Sequence, residues 1–223
     1  MKKCVVFDLD GTLLDTLPDI FASVNATLRE LSYPERNVKE TLSGIGYGSR
    51  YLIASSLPKG ASEGEIDEAL GVYREYYRAH FSEATAPYAG ISDALMSLKS
   101  AGASLAVLSN KPDELTAALI GKWFPDTFDF VLGQGKYKAK PSPEAPNAVA
   151  EALGTSASDL IFVGDSDVDV MTAHGVGARC VGVTWGYRPA SVIKRAGADF
   201  IVGGAGEMAR TILDIFERGD TKK

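Results

Sequence analysis

The length and composition of the chain already narrow its possible functions. Its 223 residues are 45% hydrophobic, which is enough to bury a substantial core in one domain or in two unequal ones. The 23 Lys and Arg residues are outnumbered by 29 Asp and Glu residues, and the net charge is -6. This balance provides no broad basic surface, so neither nucleic acid nor an anionic membrane is expected as a partner.

Two further features concern the compartment in which the chain works. No apolar stretch reaches membrane-spanning length, and the N-terminus passes from two lysines directly into a strand-like segment without the pattern of a signal peptide. We therefore expect a cytoplasmic protein. Cys4 and Cys180 lie in separate apolar runs without a CxxC spacing, so both are expected to be buried free thiols. The sequence leaves the oligomeric state open.

Short apolar runs alternate with amphipathic helical patterns along most of the chain. Helical patterns cover residues 91–100 and 143–153, and a glycine follows each of them closely. The apolar runs are typical of buried strands and lie at residues 4–7, 104–108, 128–132, 160–163 and 179–183. This alternation predicts an α/β fold with a mostly parallel sheet that is covered by helices on both faces.

The stretch between the first two predicted strands is helical and too long for one crossover. Residues 17–31 have helical periodicity, with Thr16 as a possible N-cap, and apolar residues recur at helical spacing from Ile66 to Phe81. The surplus predicts an inserted helical domain of about 70 residues rather than an unstructured loop. We predict a core of residues 1–15 and 87–223 and a helical insertion of residues 16–86. The last residues, 219–223, are expected to fray.

An acidic segment, Asp-Leu-Asp-Gly-Thr-Leu-Leu-Asp, follows the first predicted strand and begins at Asp8. Residues two apart in an extended segment point to the same side, so Asp8 and Asp10 can present both carboxylates to one crevice at the sheet edge. A hard divalent cation relieves the repulsion between two such carboxylates. An Asp-Gly pair taken alone is more often a turn and a helix cap.

Two later segments offer groups that suit a phosphate. Ser109 and Asn110 follow the second strand, and the serine hydroxyl can donate to a phosphate oxygen. Lys140 stands in a Lys-Pro-Ser-Pro segment before a helix, where its ammonium group can neutralise phosphate charge. Taken alone, the first segment is more often a capping turn, and the lysine could be a solvated residue of a basic loop.

The segment Gly-Asp-Ser-Asp-Val-Asp ends the fourth predicted strand and adds three carboxylates. Asp165 lies at the strand terminus, where it can bind a cation. Asp169 is expected to ligate the cation through water or to orient its ligands. Asp167 is expected to face solvent or to cap the following helix.

These four segments, each after a predicted strand, resemble in order the four motifs of the haloacid dehalogenase superfamily. The Leu-Ser-Asn-Lys-Pro run, a Thr-Trp-Gly-Tyr segment at residues 184–187 and the helical insertion are similar to the phosphoglycolate phosphatase branch. The resemblance implies a Rossmann-like three-layer core with a helical cap. It also implies a magnesium-dependent hydrolase of small phosphate monoesters.

The resemblance further implies roles for individual residues. Asp8 is expected to be the nucleophile that forms an aspartyl phosphate, and Asp10 the general acid and base. Dehalogenases of the superfamily lack the second aspartate, so Asp10 favours phosphate chemistry. The expected phosphate-binding residues are Ser109, Asn110 and Lys140. The expected ligands of Mg²⁺ are Asp8, Asp10 through its backbone carbonyl, and Asp165, with Asp169 in support.

The sequence offers two candidates for substrate selection. Arg50 ends a glycine-rich segment, residues 43–50, and could pair with a substrate carboxylate. Lys111 has a weaker claim of the same kind. The alternative is a flexible turn between two helices with an arginine on the surface.

Other functions are compatible with the same residues. A sugar-phosphate mutase would return the phosphoryl group from Asp8 to the substrate, and pyrophosphate or a nucleoside monophosphate could be the substrate of a hydrolase. A non-catalytic module that binds a phosphorylated ligand is the alternative from another class. Asp10 and Lys140 argue against it, since a binding protein needs no acid and base.

Overall fold

The computed structural model describes residues 2–218, so the segment 219–223 that was expected to fray lies outside them. The strands of the described part are β1 (Cys4–Phe7), β2 (Leu14–Asp15), β3 (Ala86–Pro87), β4 (Ser104–Pro112), β5 (Phe130–Gln134), β6 (Leu160–Gly164), β7 (Arg179–Val183) and β8 (Phe200–Val202). The helices are α1 (Leu17–Glu30), α2 (Val38–Gly44), α3 (Ser49–Ser56), α4 (Glu63–His80), α5 (Ile91–Ser100), α6 (Asp113–Trp123), α7 (Glu144–Leu153), α8 (Asp167–Gly175), α9 (Ala190–Ala196) and α10 (Ala205–Arg218).

Six strands form one parallel sheet in the order β5-β4-β1-β6-β7-β8. The chain runs outward from β1 through β4 to β5 and then returns to the other side of β1. The strand order therefore reverses next to β1, and ligands of such sheets bind in the crevice beyond the carboxyl ends of the strands at this point. Phe7 pairs with both Val107 and Val163, so the residues that follow these three positions meet at one edge of the sheet.

Side chains alternate between the two faces of the sheet and bury a separate cluster on each. Val5 and Phe7 of β1 pack against α5, α6 and α10, whereas Cys4 and Val6 pack against α7, α8 and α9. This two-sided burial explains why the strands are nearly continuous apolar runs. The predicted α/β class with a Rossmann-like sheet is confirmed. Cys4 and Cys180 are buried free thiols, as predicted.

Helices α1–α4, which we call the cap helices, bury a hydrophobic cluster of their own. Their apolar side chains, together with Leu115 of α6, form a group separate from the two clusters of the sheet. Capping boxes at Asn37 and Ser62 begin α2 and α4 by satisfying backbone N–H groups. The exact division at residues 15 and 87 stays a prediction.

The chain enters and leaves the cap helices side by side. Strands β2 and β3 pair antiparallel, with Asp15 opposite Ala86. The buried carboxylate of Asp19 in α1 accepts hydrogen bonds from the N–H of Ala84 at 2.9 Å and from the hydroxyl of Thr85 at 2.6 Å. These bonds tie the returning segment to the first turn of α1. Among residues 2–218, no helix is long and apolar enough to cross a membrane.

The structure differs from the sequence prediction in several elements. The strand predicted at residues 128–132 lies at Phe130–Gln134, and β8, the β2–β3 pair, α2 and α3 were not predicted. β8 is a three-residue edge strand in which Phe200 and Ile201 are exposed, so it leaves no buried run in the sequence. The glycine-rich segment 43–50 ends α2 and begins α3, with a loop between them.

Candidate active site

Three carboxylates converge where the strand order reverses. Asp8 follows β1, and its N–H donates to the carbonyl of Val163 in β6 at 2.9 Å. Asp165 follows β6, and Asp169 lies in the first turn of α8. One carboxylate oxygen from each of the three aspartates lies within 4.8 Å of the others. An all-oxygen set of this kind suits a hard divalent cation.

Burial makes two of these carboxylates, those of Asp8 and Asp165, easier to protonate when no cation is bound. It raises the pKa of Asp8 to about 8, an effect that Lys140 opposes and that the charges of Asp169, Asp165 and Asp10 reinforce. Burial, followed by the charge of Asp169, raises the pKa of Asp165 to about 7. The negative charge at this sheet edge therefore exceeds what the neighbouring protein groups compensate.

Lys140 is the buried cation of the site. Its Nζ lies 2.9 Å from Oδ1 of Asp8 and 2.7 Å from Oδ1 of Asp169. Burial alone would lower the pKa of Lys140, but Asp169 and Asp8 together raise it above its usual range. The ammonium group therefore stays charged beside the predicted nucleophile. It contacts the carboxylates as the sequence suggested, and Lys136 and Lys138 have no part in this cluster.

Asn110 positions the segment that carries Lys140. Its Oδ1 accepts from the N–H of Lys140 at 2.7 Å, and its Nδ2 donates to the carbonyl of the same residue at 3.1 Å. The Nδ2 group also donates to the carbonyl of Gly46 in the cap loop at 2.9 Å. The side chain thus connects three parts of the site, which the sequence did not indicate. Ser109, its neighbour, is buried within β4, two residues after the last residue of this strand that pairs with β1.

Asp10 lies beside this cluster and has different partners. Its Oδ1 accepts from the hydroxyl of Thr16 at 2.6 Å and from Nζ of Lys111 at 2.8 Å. Thr16 is the N-cap residue of α1, as the sequence suggested, but its side chain makes no capping bond because its hydroxyl donates to Asp10. Nζ of Lys111 also lies 4.8 Å from the ring centre of Tyr77 in α4. The two donors hold the Asp10 carboxylate in a fixed orientation.

Two glycines give the backbone room to approach Asp165. Gly11 has a φ of +86°, and a Cβ there would lie 2.6 Å from Oδ2 of Asp165. A Cβ on Gly186, in the loop after β7, would lie 2.3 Å from Cβ of Asp165. The N–H of Tyr187 donates to Oδ2 of Asp165 at 2.6 Å, and its hydroxyl accepts from the N–H of Thr16 at 2.8 Å. This loop orients Asp165.

The loop after β7 also contacts the cap helices. Arg188 donates to the carbonyl of Leu42 at 2.6 Å and to that of Ile45 at 2.7 Å, so it satisfies carbonyls at the C-terminal end of α2. The hydroxyl of Tyr47 donates to Oδ2 of Asp167 at 3.3 Å. The sequence left open whether Asp167 caps α8. The structure shows that Ser166 is the N-cap of this helix and that Asp167 is not.

A cavity of about 660 Å³ lies between the sheet edge and the cap helices. Asp8 and Asp10 line one side of it, and side chains of α4 line the other. Arg50 lines the cavity as well, but its guanidinium group pairs with Glu63 and Asp67 of α4. Arg50, which the sequence suggested for substrate selection, is therefore paired with carboxylates within the cap helices.

Comparison with known proteins identifies the family. A model of the family described as haloacid dehalogenase-like hydrolase matches residues 5–183 of the chain. The chain belongs to this family. The phosphoglycolate phosphatase of Neisseria meningitidis is 35% identical over 216 residues, which cover 92% of each protein. That of Pseudomonas putida is 32% identical over 194 residues, which cover 84% of this chain and 71% of the relative.

Solved structures agree with this assignment. A crystal structure from Lactobacillus delbrueckii, provisionally described as a phosphoglycolate phosphatase, has a TM-score of 0.89 and 28% identity, and covers 95% of this chain and 99% of that chain. The protein CbbY of Rhodobacter sphaeroides has a TM-score of 0.76 at 24% identity and shows the shared fold alone. The family and the phosphoglycolate phosphatases of Neisseria meningitidis and Pseudomonas putida establish this chain as a phosphatase.

The predicted site residues are thus brought together at one sheet edge of this haloacid dehalogenase-like phosphatase. Asp8, Lys140, Asp165 and Asp169 form one buried cluster, with Asp10 beside it. One carboxylate oxygen of Asp169, a residue expected only to support the cation, lies within 4.8 Å of one oxygen of Asp8 and one of Asp165. The sequence did not predict the contacts that Tyr187 and Arg188 make in the loop after β7. The only feature of the sequence that pointed to this loop was the Thr-Trp-Gly-Tyr segment at residues 184–187.

Proposed function

We propose that the chain hydrolyses small phosphate monoesters with the help of Mg²⁺, through an aspartyl phosphate at Asp8. The observation that supports this most directly is the cluster of Asp8, Lys140 and Asp165 on the crevice where the strand order reverses. A nucleophile, a buried cation and a cation-binding set are the parts that phosphoryl transfer requires.

Three groups would hold the metal ion: the carboxylates of Asp8 and Asp165 and the backbone carbonyl of Asp10, with Asp169 beside them. The fit rests on the chemistry of the donors, which are all oxygens, and on their uncompensated charge. When bound, Mg²⁺ supplies positive charge that lets the anionic nucleophile and the anionic substrate approach each other.

The reaction follows from the positions of two aspartates. An oxygen of Asp8 attacks phosphorus, the bond between phosphorus and the leaving oxygen breaks, and Asp10 gives that oxygen a proton. Asp10 then takes a proton from a water molecule as this water attacks the phosphorus of the aspartyl phosphate. The bond to Asp8 breaks, inorganic phosphate leaves and both carboxyl groups return to their starting state. Lys140 and Ser109 contact the phosphoryl oxygens throughout.

The cap helices would exclude bulk water and contact the leaving group. Residues 16–86 form this cap in our proposal, and the bonds from Asn110 and Arg188 to the cap loop would stabilise its closed position. Arg50 and Lys111 remain candidates for contacts with the substrate, although both are paired with carboxylates.

Phosphoglycolate is the first substrate to test, because the relatives that match the chain over most of its length are phosphoglycolate phosphatases. A mutase, a pyrophosphatase and a non-catalytic binding module are the alternatives. Intact Asp10 and Lys140 favour catalysis over binding alone. A cytoplasmic location is part of the same proposal.

The test compares the wild-type chain with Asp8→Asn, a change that keeps the size of the side chain. Phosphate release from phosphoglycolate, a chromogenic monoester, pyrophosphate and a nucleoside monophosphate is measured with and without Mg²⁺. We expect magnesium-dependent release by the wild type and a loss of about a thousandfold or more in the variant. Equal rates for the two proteins would contradict the proposal. If a sugar monophosphate is added to the same assay and is converted to a sugar bisphosphate instead of releasing phosphate, the mutase is indicated.

A further inference from the structure

The cavity is lined by four cationic side chains, and three of them are already neutralised. Each of these three is within salt-bridge distance of at least one carboxylate. The pairs are Arg50 with Glu63 and Asp67, Arg78 with Glu114, and Lys111 with Asp10. Arg74 is the fourth cation. It has no hydrogen bond or ion pair to any residue of the described range, 2–218.

We propose that Arg74 binds an anionic group on the alcohol part of the substrate. The phosphatase would then prefer monoesters that carry a second negative charge, such as the carboxylate of phosphoglycolate. This inference rests on the proposed function and adds the residue that selects the substrate. It moves that role away from Arg50, whose guanidinium group has carboxylate partners within the cap helices.

Arg74 stands on the side of α4 that forms the cavity wall. Leu70, Tyr77 and Arg78, which are three or four residues away from it, line the same cavity, and so does Tyr73. Tyr73 and Tyr77 are buried, and their rings stack with centres 5.4 Å apart and an angle of 9° between their planes. This packing fixes the helix face from which the exposed Arg74 side chain lines the cavity.

Arg74 and Arg78 lie on the same face of α4, but of the two only Arg78 has a carboxylate partner among the described residues. Arg74 and Arg78 are four residues apart, a spacing at which like charges destabilise a helix. Glu114 of α6 compensates Arg78, with Nη2 and Oε1 2.6 Å apart. No residue of the described chain compensates Arg74 in the same way, so a bound anion would supply the missing charge. A guanidinium group can also bind a carboxylate through two parallel hydrogen bonds.

The two walls of the cavity thus differ in the charge they accept. On the side of the sheet edge, Asp8 with a metal ion and Lys140 would receive the phosphoryl group. On the side of α4, Arg74 would receive the second anion, which orients the ester bond between them. A substrate without the second charge would lose this contact but would keep every contact of its phosphoryl group.

The experiment compares phosphoglycolate with ethyl phosphate, in which a methyl group replaces the carboxylate. The kcat/KM of both substrates is measured with Mg²⁺ for the wild type, Arg74→Ala, Arg74→Lys and Arg78→Ala. For Arg74→Ala we expect the ratio of kcat/KM for phosphoglycolate to that for ethyl phosphate to fall about 10- to 100-fold. Arg74→Lys should restore part of the ratio. Arg78→Ala, the matched control on the same helix, should change it less than about threefold.

Other results would overturn the inference in recognisable ways. If the wild type hydrolyses both substrates equally well, the proposed phosphatase function stands and the role of Arg74 is refuted. The role is refuted as well if Arg74→Ala keeps the wild-type ratio, or if Arg78→Ala lowers it equally. If the wild type hydrolyses neither these nor any other monoester, the proposed function fails and the inference fails with it.

Discussion

Mg²⁺ binding should depend steeply on pH, because protons compete with the cation for the same carboxylates. Burial raises the pKa of Asp8 to about 8 and that of Asp165 to about 7. Asp8 is therefore half-ionised near pH 8 and Asp165 near pH 7, and at pH 6 both are mostly protonated. A cation that binds at lower pH must displace up to two protons. We expect the affinity for Mg²⁺ to fall on the order of several hundredfold between about pH 8 and about pH 6.

Isothermal titration calorimetry in buffers of different ionisation enthalpy measures both the affinity and the number of protons released. A matched variant, Thr12→Val, leaves every carboxylate in place but removes the hydroxyl that donates to Oδ1 of Asp165 at 3.2 Å. This bond lowers the pKa of Asp165, so its loss should move the pH dependence toward higher pH. Equal affinity at the two pH values, or binding without proton release at the lower one, would refute the reasoning.

Three further results are expected. Without Mg²⁺, the free energy of unfolding should decrease as pH rises from about 4 to about 8. The raised pKa values of Asp8 and Asp165 make the folded chain retain protons that the unfolded chain loses over this range. Denaturant titrations at several pH values measure this decrease. Lys140→Met should abolish turnover and lower the free energy of unfolding by about 3–5 kcal/mol, since it leaves buried carboxylates unpaired. Gly11→Ala should weaken Mg²⁺ binding and lower the melting temperature, because its Cβ would lie 2.6 Å from the Asp165 carboxylate.

The sequence predicts the core of this fold well because the strands are buried on both faces. Each such strand appears as an apolar run, and the residue that ends the run lies at the sheet edge. Asp8 and Asp165 could therefore be placed from the sequence, although they are far apart along the chain. The two-residue strands β2 and β3 and the exposed edge strand β8 leave no such run, and they were missed for that reason.

The contacts that orient the site could not be predicted from local patterns. Lys111 lies 101 residues after Asp10, and nothing in either segment indicates that Nζ of the lysine meets that carboxylate. The bonds from Arg188 to the cap loop depend on how the cap helices pack over the sheet edge. The short distance from Asp169 to Asp8 and Asp165 depends on the packing of α8 on β6, which local sequence patterns do not indicate.

The most direct test of the account is the identity of the residue that carries the phosphoryl group. Asp10→Asn, incubated with Mg²⁺ and 4-nitrophenyl phosphate, whose leaving group needs no acid, should form the phosphoenzyme and hydrolyse it slowly. Borohydride reduction and mass spectrometry should then find homoserine in place of Asp8. A phosphoryl group on another residue, or turnover without any covalent intermediate, would contradict the role of Asp8 as the nucleophile.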